Sequence, residues 1–364
     1  MEEKMLQFLK FTVEKGASDL LLIAASPPVL RIDGKLYPLE EYSPLTAAEC
    51  RQLIYGLLSP EERNQFEKNW ELDFSLSLEG ISRFRINVHL QKGSVAAAIR
   101  PISHRVRSIA DLGLPRVVYN IARKESGLVL VTGITGSGKS STQAAIIDLI
   151  NRETRKHIIT IEDPIEFLHE NKQSIVEQRE LSSDTRSFAE ALKHVLRQDP
   201  DVILIGEMRD LETTETTIKA AESGHLVFAT LHTGDAPRTV DRIIDIYPSH
   251  QQDQVRKQLA LVLEAVISQK LLPRKDGPGR VLATEVMLGT PAVRNIIREG
   301  KTQELYMTIE TGFDQGMHTM DSSLVELYRD NLITHEVAAA NGHDPNAIKR
   351  ILLGSMGKGG GVTH

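Results

Sequence analysis

The first hundred residues alternate short apolar stretches with turns. An amphipathic pattern over residues 2–15 predicts a helix, because its apolar positions fall on one helical face. Strands are predicted at residues 72–78, 83–89 and 94–99, and an Asp-Gly pair at Asp33-Gly34 marks a turn. The pattern over residues 1–100 therefore predicts a small α+β domain with an antiparallel sheet.

From about residue 116 the strands become short, continuous apolar runs separated by helical segments. Such runs are typical of strands buried on both faces, and their alternation with helices predicts a parallel sheet in an α/β domain. The predicted strands are residues 127–132, 157–161, 201–205 and 225–231. The predicted helices between and beside them include residues 139–152, 187–198 and 211–222.

The remaining segments complete a two-domain organisation. Residues 101–115 contain two prolines and little periodicity, so they are predicted to be a linker. Residues 116–352 form the second domain, and its part from about residue 250 is predicted to be mainly helical. The glycine-rich end, residues 353–364, is predicted to be a flexible tail.

Composition and charge narrow the function classes. The chain has 364 residues and a net charge of -6, which argues against a general electrostatic hold on nucleic acid. Its single cysteine, Cys50, excludes an internal disulfide and fits a reducing cytoplasm. No apolar run is long enough to cross a bilayer, and the N-terminus lacks a signal peptide core. We therefore expect a cytoplasmic protein without direct membrane insertion.

The strongest chemical signal is a phosphate-binding loop between a predicted strand and a predicted helix. Gly133 is followed by four residues and then by Gly138-Lys139-Ser140, which is the P-loop pattern. Its backbone N–H groups and the helix N-terminus favour phosphate oxygens. Lys139 is predicted to reach the β- and γ-phosphates of ATP, and Ser140 to bind Mg²⁺. The predicted nucleotide-binding residues of the loop are Gly133, Thr135, Gly136, Ser137, Gly138, Lys139, Ser140 and Ser141.

Acidic residues and a histidine follow three other predicted strands. Glu207 comes after the apolar run that ends at Ile205-Gly206, and we assign it as general base for an attacking water. Glu162 and Asp163 end another strand, where they would lie near the metal and the water; a solvated acidic turn is the alternative. His232 follows a fourth strand and could sense the γ-phosphate, although a structural histidine stays open on spacing alone.

Together these motifs resemble the secretion ATPase superfamily. Its P-loop, Asp box, Walker B segment and His box occur here in the same order. The last three correspond to residues 161–167, 203–210 and 224–233. The resemblance implies a RecA-like P-loop ATPase domain joined to a smaller N-terminal PAS-like domain, ATP and Mg²⁺ as ligands, and a ring of six subunits. It also implies roles for His225 and His232 at the nucleotide, and for Glu162 and Glu207 at the metal.

Within the superfamily the sequence is most similar to the ATPases that retract type IV pili. Residues 292–299, Ala-Val-Arg-Asn-Ile-Ile-Arg-Glu, are similar to the C-terminal motif of these motors. The resemblance implies a cytoplasmic hexamer recruited to the inner-membrane base of the pilus. Its partners would be a platform protein and a paralogous retraction ATPase, with no nucleic acid.

The same resemblance assigns a role to arginines outside the P-loop domain. In the family, arginines of the N-terminal domain reach the nucleotide phosphates. The matching positions are Arg85 and Arg100, which we assign as arginine fingers, with Arg116 as a third nucleotide-binding arginine. Without the family resemblance, these residues would be interpreted as surface arginines on a strand.

Several alternatives remain on the sequence. The four-cysteine zinc site of pilus assembly ATPases is excluded, because the chain has only Cys50. An accessory retraction ATPase and a secretion-system traffic ATPase would share the catalytic set. A DNA helicase or recombinase is disfavoured by the acidic balance, and a nucleotide-gated scaffold by Glu207 and the intact P-loop.

Overall fold

The computed structural model describes residues 3–32, 34–102, 105–343 and 348. The chain divides into two compact units. The first comprises Met1–Arg105 and Glu166–Leu168, and the second Val106–Ile165 and His169–His364. The predicted flexible tail, residues 353–364, lies outside the described residues.

The first unit contains an antiparallel sheet with helices. Its described helices are α1 (Glu3–Glu14), α2 (Ala47–Tyr55) and α3 (Pro60–Asn69). Its described strands are β1 (Asp19–Leu22), β2 (Val29–Ile32), β3 (Lys35–Pro38), β4 (Glu71–Leu78), β5 (Ser82–Gln91) and β6 (Ser94–Ile102). They lie in the order β3-β2-β1-β6-β5-β4, and each pair of neighbours is antiparallel. The α+β prediction is confirmed.

Local sequence signals explain these elements. Helix α2 begins with a capping box in which Thr46 and Glu49 satisfy each other's backbone N–H groups. Strand β5 buries Phe84, Ile86 and Val88 on one face, as the two-residue period of a strand requires. These side chains join the core of the first unit.

The predicted linker is shorter than expected. Strand β6 continues through Pro101 to Ile102, so the first two residues of the linker pair with β5. Ile109 and Leu114 are buried in a core of the second unit. Residues 101–115 are therefore not a linker over their whole length, although a proline stands at each end.

The second unit is an α/β structure. Its described strands are β7 (Gly127–Thr132), β8 (His157–Glu162), β9 (Ile175–Glu180), β10 (Val202–Ile205), β11 (Leu226–Leu231), β12 (Leu263–Pro273) and β13 (Arg280–Leu288). Its described helices are α4 (Val117–Ala122), α5 (Lys139–Glu153), α6 (Phe188–Val195), α7 (Leu211–Glu222), α8 (Ala236–Asp245), α9 (Ser249–Val262), α10 (Pro291–Glu299), α11 (Leu305–Thr311), α12 (Met320–Arg329) and α13 (His335–Asn341).

The sheet of this unit has the order β13-β12-β7-β11-β10-β8-β9. Its pairs are parallel except for the antiparallel pair of β12 and β13. Successive residues of β11 contribute to two different cores: Val227 and Ala229 to one, Leu226 and Phe228 to the other. The predicted parallel sheet with both faces covered is confirmed.

The prediction that residues beyond 250 are mainly helical is wrong at β12 and β13, which are strands. Helix α9 ends at Val262, and the chain enters β12 at Leu263 without an intervening turn residue. Pairing with β7 decides the conformation, since Val266 and Ile267 are fully buried there. Strand β9 was also missed, because Ile175-Val-Glu-Gln-Arg-Glu180 is mostly polar and lies at the sheet edge.

No helix among the described residues has the length and apolar character that crossing a membrane requires.

A buried carboxylate joins β13 to the starts of two helices. Glu285 is 1% exposed, and its two oxygens accept hydrogen bonds from the backbone N–H of Ala236 (2.8 Å) and of Met320 (3.3 Å). Burial raises the pKa of Glu285 from 4.5 to about 7. The two N–H donors oppose this rise, while the charges of Asp235 and Asp321 add to it.

This environment predicts a pH-dependent stability. Because the folded state holds the Glu285 proton more tightly than the unfolded chain does, its contribution is full below pH 4.5 and is lost as pH rises through about 7. The loss is on the order of 3 kcal/mol at about 1.4 kcal/mol per pKa unit. We expect Glu285→Gln to show a smaller decline in urea midpoint between pH 5 and 8. Parallel midpoint curves for the two proteins would contradict this prediction.

Candidate active site

The phosphate-binding loop connects β7 to α5 as the sequence predicted. Gly133, Gly136 and Gly138 adopt φ values of 147°, 77° and 92°, a region that residues with a side chain rarely enter. Gly138 is the N-cap of α5, and Lys139 is the first residue of that helix. The other loop residues differ in burial: Thr135 is exposed, Ser137 is buried, and Ser140 and Ser141 are half-buried.

Gly133 is required for a second reason, which is close backbone approach. A Cβ atom at this position would lie 2.4 Å from Ser137 Oγ and 2.5 Å from the main-chain oxygen of Gln269. Gly136 differs, since a Cβ there would meet nothing within 4 Å. The loop therefore rests directly on β12 at Gly133.

Lys139 is folded against its own loop. Its side chain is buried, and Nζ donates to the main-chain oxygens of Gly133 (2.8 Å) and Ile134 (3.2 Å). An ammonium group has three donors, so these bonds orient the cation at the loop. A buried cation beside converging backbone N–H groups is suited to a phosphate.

Three further candidate residues follow the carboxyl ends of neighbouring strands. His232 follows β11, Glu207 follows β10 by one glycine, and Glu162 ends β8. His232 Nε2 lies 3.2 Å from Glu207 Oε1, so the structure brings these two predicted residues together. Arg209 Nε donates to the other oxygen of Glu207 at 2.7 Å.

The strand order sets the spacing along this edge. Glu207 follows a strand two places from β7, roughly 10 Å away at about 4.8 Å per strand. Glu162 lies three places away, roughly 14 Å. The gap between the loop and Glu207 is therefore wide enough for a phosphoryl group and a water molecule.

Glu162 is bound on the side of the edge strand β9. Its Oε1 accepts hydrogen bonds from Thr160 Oγ1 (2.7 Å) and Gln178 Nε2 (3.1 Å). Over the described part of the chain, no three acidic, histidine or cysteine side chains converge on a possible metal position. Convergence of Ser140, Glu162 and Glu207 on Mg²⁺ therefore stays a prediction.

The structure does not bring His225 to this edge. His225 precedes β11, whose six residues span roughly 20 Å at about 3.3 Å each, so it lies at the opposite edge of the sheet. Its Nδ1 is 2.9 Å from the main-chain oxygen of Ala220 and 3.0 Å from Ser223 Oγ. Within one chain His225 therefore lies away from the P-loop, where its ring contacts the end of α7, and its role at the nucleotide stays a prediction.

The two predicted arginine fingers belong to the first unit. Arg85 and Arg100 face each other across β5 and β6, and both are exposed. Arg100 binds Asp19 Oδ1 through Nε (2.8 Å) and Nη2 (2.7 Å). Arg116, in the second unit, is the exposed N-cap of α4 and makes no side-chain capping bond. The contact of all three with nucleotide stays a prediction.

Sequence reasoning missed several residues that hold the site. Gln269 donates to the main-chain oxygen of Ser137 (2.8 Å), and Arg280 to that of Gly136 (3.3 Å). Arg209 and Gln178 contact the predicted carboxylates. A signal existed for Gln269, because the polar pair Ser268-Gln269 interrupts the apolar pattern within β12.

Comparison with known proteins identifies the class of protein. A family model described as type II/IV secretion system protein matches residues 98–299, more than half of the chain. The chain belongs to this family, so the resemblance to secretion ATPases is confirmed.

Individual relatives indicate which members of this family the chain resembles. The chain is 46% identical over 332 residues to the type IV pilus retractation ATPase PilT of Pseudomonas aeruginosa, covering 91% of this chain and 96% of that protein. It is 39% identical over 350 residues to the type IV pilus ATPase PilU of the same organism, covering 96% and 91%. A crystal structure of the pilus retraction motor PilT with bound ADP matches with a TM-score of 0.90 at 48% identity, covering 96% of this chain and 100% of that one.

The contrast between two loop glycines gives a testable prediction. Gly133→Ala would place a methyl group against the backbone of Gln269, whereas Gly136→Ala adds only the strain of its positive φ. We expect Gly133→Ala to weaken ATP binding by at least about tenfold, or ~1.4 kcal/mol, and Gly136→Ala to weaken it less. Titration with a fluorescent ATP analogue measures both affinities. Equal losses would show that close approach at Gly133 is unimportant.

Proposed function

We propose that this protein is a hexameric ATPase motor that powers the retraction of type IV pili. One observation carries the proposal: a complete P-loop and Glu207 lie at one sheet edge in a chain that matches PilT of P. aeruginosa over 91% of its length. The link to the pilus comes from the name of this relative, and the link to ATP hydrolysis comes from the site residues.

ATP binds at the loop between β7 and α5. The N–H groups of the loop and the N-terminus of α5 hold the phosphates, and Lys139 neutralises charge on the β- and γ-phosphates. Mg²⁺, when bound, neutralises charge that develops on the phosphate oxygens. Ser140 fits this ion because it stands in the first turn of α5, directly after Lys139. Glu162 and Glu207 complete the proposed metal environment.

Glu207 acts as the general base. It orients the attacking water and accepts its proton while the water oxygen bonds to the γ-phosphorus and the bond to the β-phosphate oxygen breaks. His232 and Arg209 support this role, since each contacts a different oxygen of the Glu207 carboxylate. His232 also follows the strand next to the P-loop strand, where it can report the presence of the γ-phosphate.

The hexamer couples hydrolysis to motion. Arg85 and Arg100 act as fingers on the γ-phosphate when the N-terminal domain closes, with Arg116 as a further phosphate contact. Release of the products reopens the site. Successive closures turn a platform protein at the inner-membrane base of the pilus, and the motor works from the cytoplasm.

An accessory retraction ATPase is the second candidate function. The match to PilU of P. aeruginosa, at 39% identity over 96% of this chain, favours it. Such a protein would act with a paralogous retraction ATPase on the same platform. Retraction that persists without this chain but requires its paralogue would identify the accessory role.

Isosteric removal of the proposed base tests the motor function. We expect Glu207→Gln to bind ATP normally but to lose hydrolysis by about 10²–10⁴-fold, because the amide cannot accept the proton of the water. In the source organism, the same allele should abolish twitching motility. Glu153→Gln is the matched control, since Glu153 ends α5 and pairs with Arg123 on the surface.

The ATP hydrolysis assay and the twitching assay test two separate claims, the catalytic role of Glu207 and the function in pilus retraction. Normal hydrolysis by Glu207→Gln would reject the catalytic assignment. Lost hydrolysis with normal twitching would reject pilus retraction and favour a secretion-system traffic ATPase.

The finger assignment has an internal control. Arg31 and Arg100 both pair with Asp19, at 3.5 Å and 2.7 Å. Loss of either arginine should destabilise the first unit somewhat, but only Arg100→Ala should reduce ATP hydrolysis by the assembled protein. Together, Arg85→Ala and Arg100→Ala should cost about 10³-fold or more. Thermal unfolding and steady-state ATPase assays measure the two effects, and equal activities of the Arg31 and Arg100 variants would contradict the assignment.

A further inference from the structure

The side chain of Gln269 is buried against the phosphate-binding loop. It is 1% exposed on β12, and its Nε2 donates to the main-chain oxygen of Ser137 at 2.8 Å. The preceding residue, Ser268, pairs with Thr132, and their hydroxyl oxygens lie 2.8 Å apart. Two consecutive residues of β12 therefore hold the loop: Ser268 contacts Thr132 at its base, and Gln269 contacts Ser137 at its centre.

Two polar atoms in this contact are buried without a hydrogen-bond partner in the described part of the chain. They are Gln269 Oε1 and Ser137 Oγ. Buried polar groups in native proteins are nearly always paired, so an unpaired one indicates a position kept for another reason. Val266 and Ile267, slightly earlier on β12, show that apolar side chains fit beside this loop strand.

The geometry of a peptide unit gives that reason. In a planar trans peptide, the C=O and the N–H point in opposite directions. Since Gln269 holds the C=O of Ser137, the N–H of Gly138 must point away from β12. Gly138 N–H is followed by those of the first turn of α5, which are the donors that a P-loop offers to phosphate.

We infer that Gln269 is a positioning residue for nucleotide binding: its carboxamide fixes the Ser137–Gly138 peptide so that the loop N–H groups face the phosphates. This inference rests on the proposed function, because it presumes that the loop binds ATP. Gln269 acts through the loop and touches no reacting atom. It therefore contributes to ATP binding rather than to the hydrolysis step.

Two variants and one matched control test the inference. Gln269→Met keeps the length of the side chain without a donor, and Gln269→Glu keeps its shape but presents only acceptors when ionised. Thr284 lies directly opposite Gln269 on β13, is also buried, and contacts His318 Nε2 at 2.9 Å. Thr284→Val therefore removes a buried hydrogen bond at the same height of the sheet without touching the loop.

Three quantities are measured on the full-length protein: the Kd for a fluorescent ATP analogue, the KM and kcat of ATP hydrolysis, and the Tm. We expect both Gln269 variants to raise Kd and KM about tenfold, as loss of one buried hydrogen bond predicts, with kcat nearly unchanged at saturating ATP. Thr284→Val should lower Tm and leave Kd and KM unchanged.

Two results overturn the inference. One is wild-type affinity in Gln269→Met, and the other is an equal loss of affinity in Thr284→Val. A Lys139→Ala protein assayed in parallel separates this failure from a failure of the proposed function. Normal ATP binding by Lys139→Ala rejects the nucleotide site as a whole, whereas its loss, together with normal binding by Gln269→Met, rejects only the role of Gln269.

Discussion

The parallel pairing of β7 with its two neighbours, β11 and β12, is the constraint on which the active site depends. The loop that follows β7 packs directly on β12, since a Cβ at Gly133 would lie 2.5 Å from the main-chain oxygen of Gln269. On the other side, β11 aligns His232 with the end of β7, and β10 extends the row to Glu207. Burial of Val227, Phe228 and similar side chains favours one register of these strands. That register aligns the P-loop with His232 and Glu207.

The parts of the molecule that the sequence predicted are those with a local signal. A continuous apolar run followed by glycines and Lys139 can be interpreted without knowing the rest of the chain. The same holds for Glu207, because the apolar run Val202–Ile205 is followed by Gly206 and this carboxylate. These rules predicted the parallel sheet, the loop, and the placement of Glu207 and His232 at one end of the strands, where the structure shows them in contact.

The parts that the sequence did not predict depend on contacts between distant segments. Strand β12 follows α9 without a turn, and only its pairing with β7 makes it a strand. Gln269 is 132 residues from the Ser137 carbonyl that it binds, so no spacing rule could connect them. The His-box motif likewise did not show that His225 and His232 lie far apart, because the motif spans a whole strand and places them at opposite ends of β11.

Asp19 changes the charge balance around Arg85 and Arg100 in the first unit. Arg100 and Arg85 stand side by side, and like charges in this position repel each other. The Asp19 carboxylate relieves that repulsion by holding Arg100 with two hydrogen bonds. An arginine that already holds an anion must exchange one anion for another when it meets phosphate. In the proposed finger role, Asp19 would therefore compete with phosphate for Arg100, and the contact between Arg100 and a nucleotide would be easier to break.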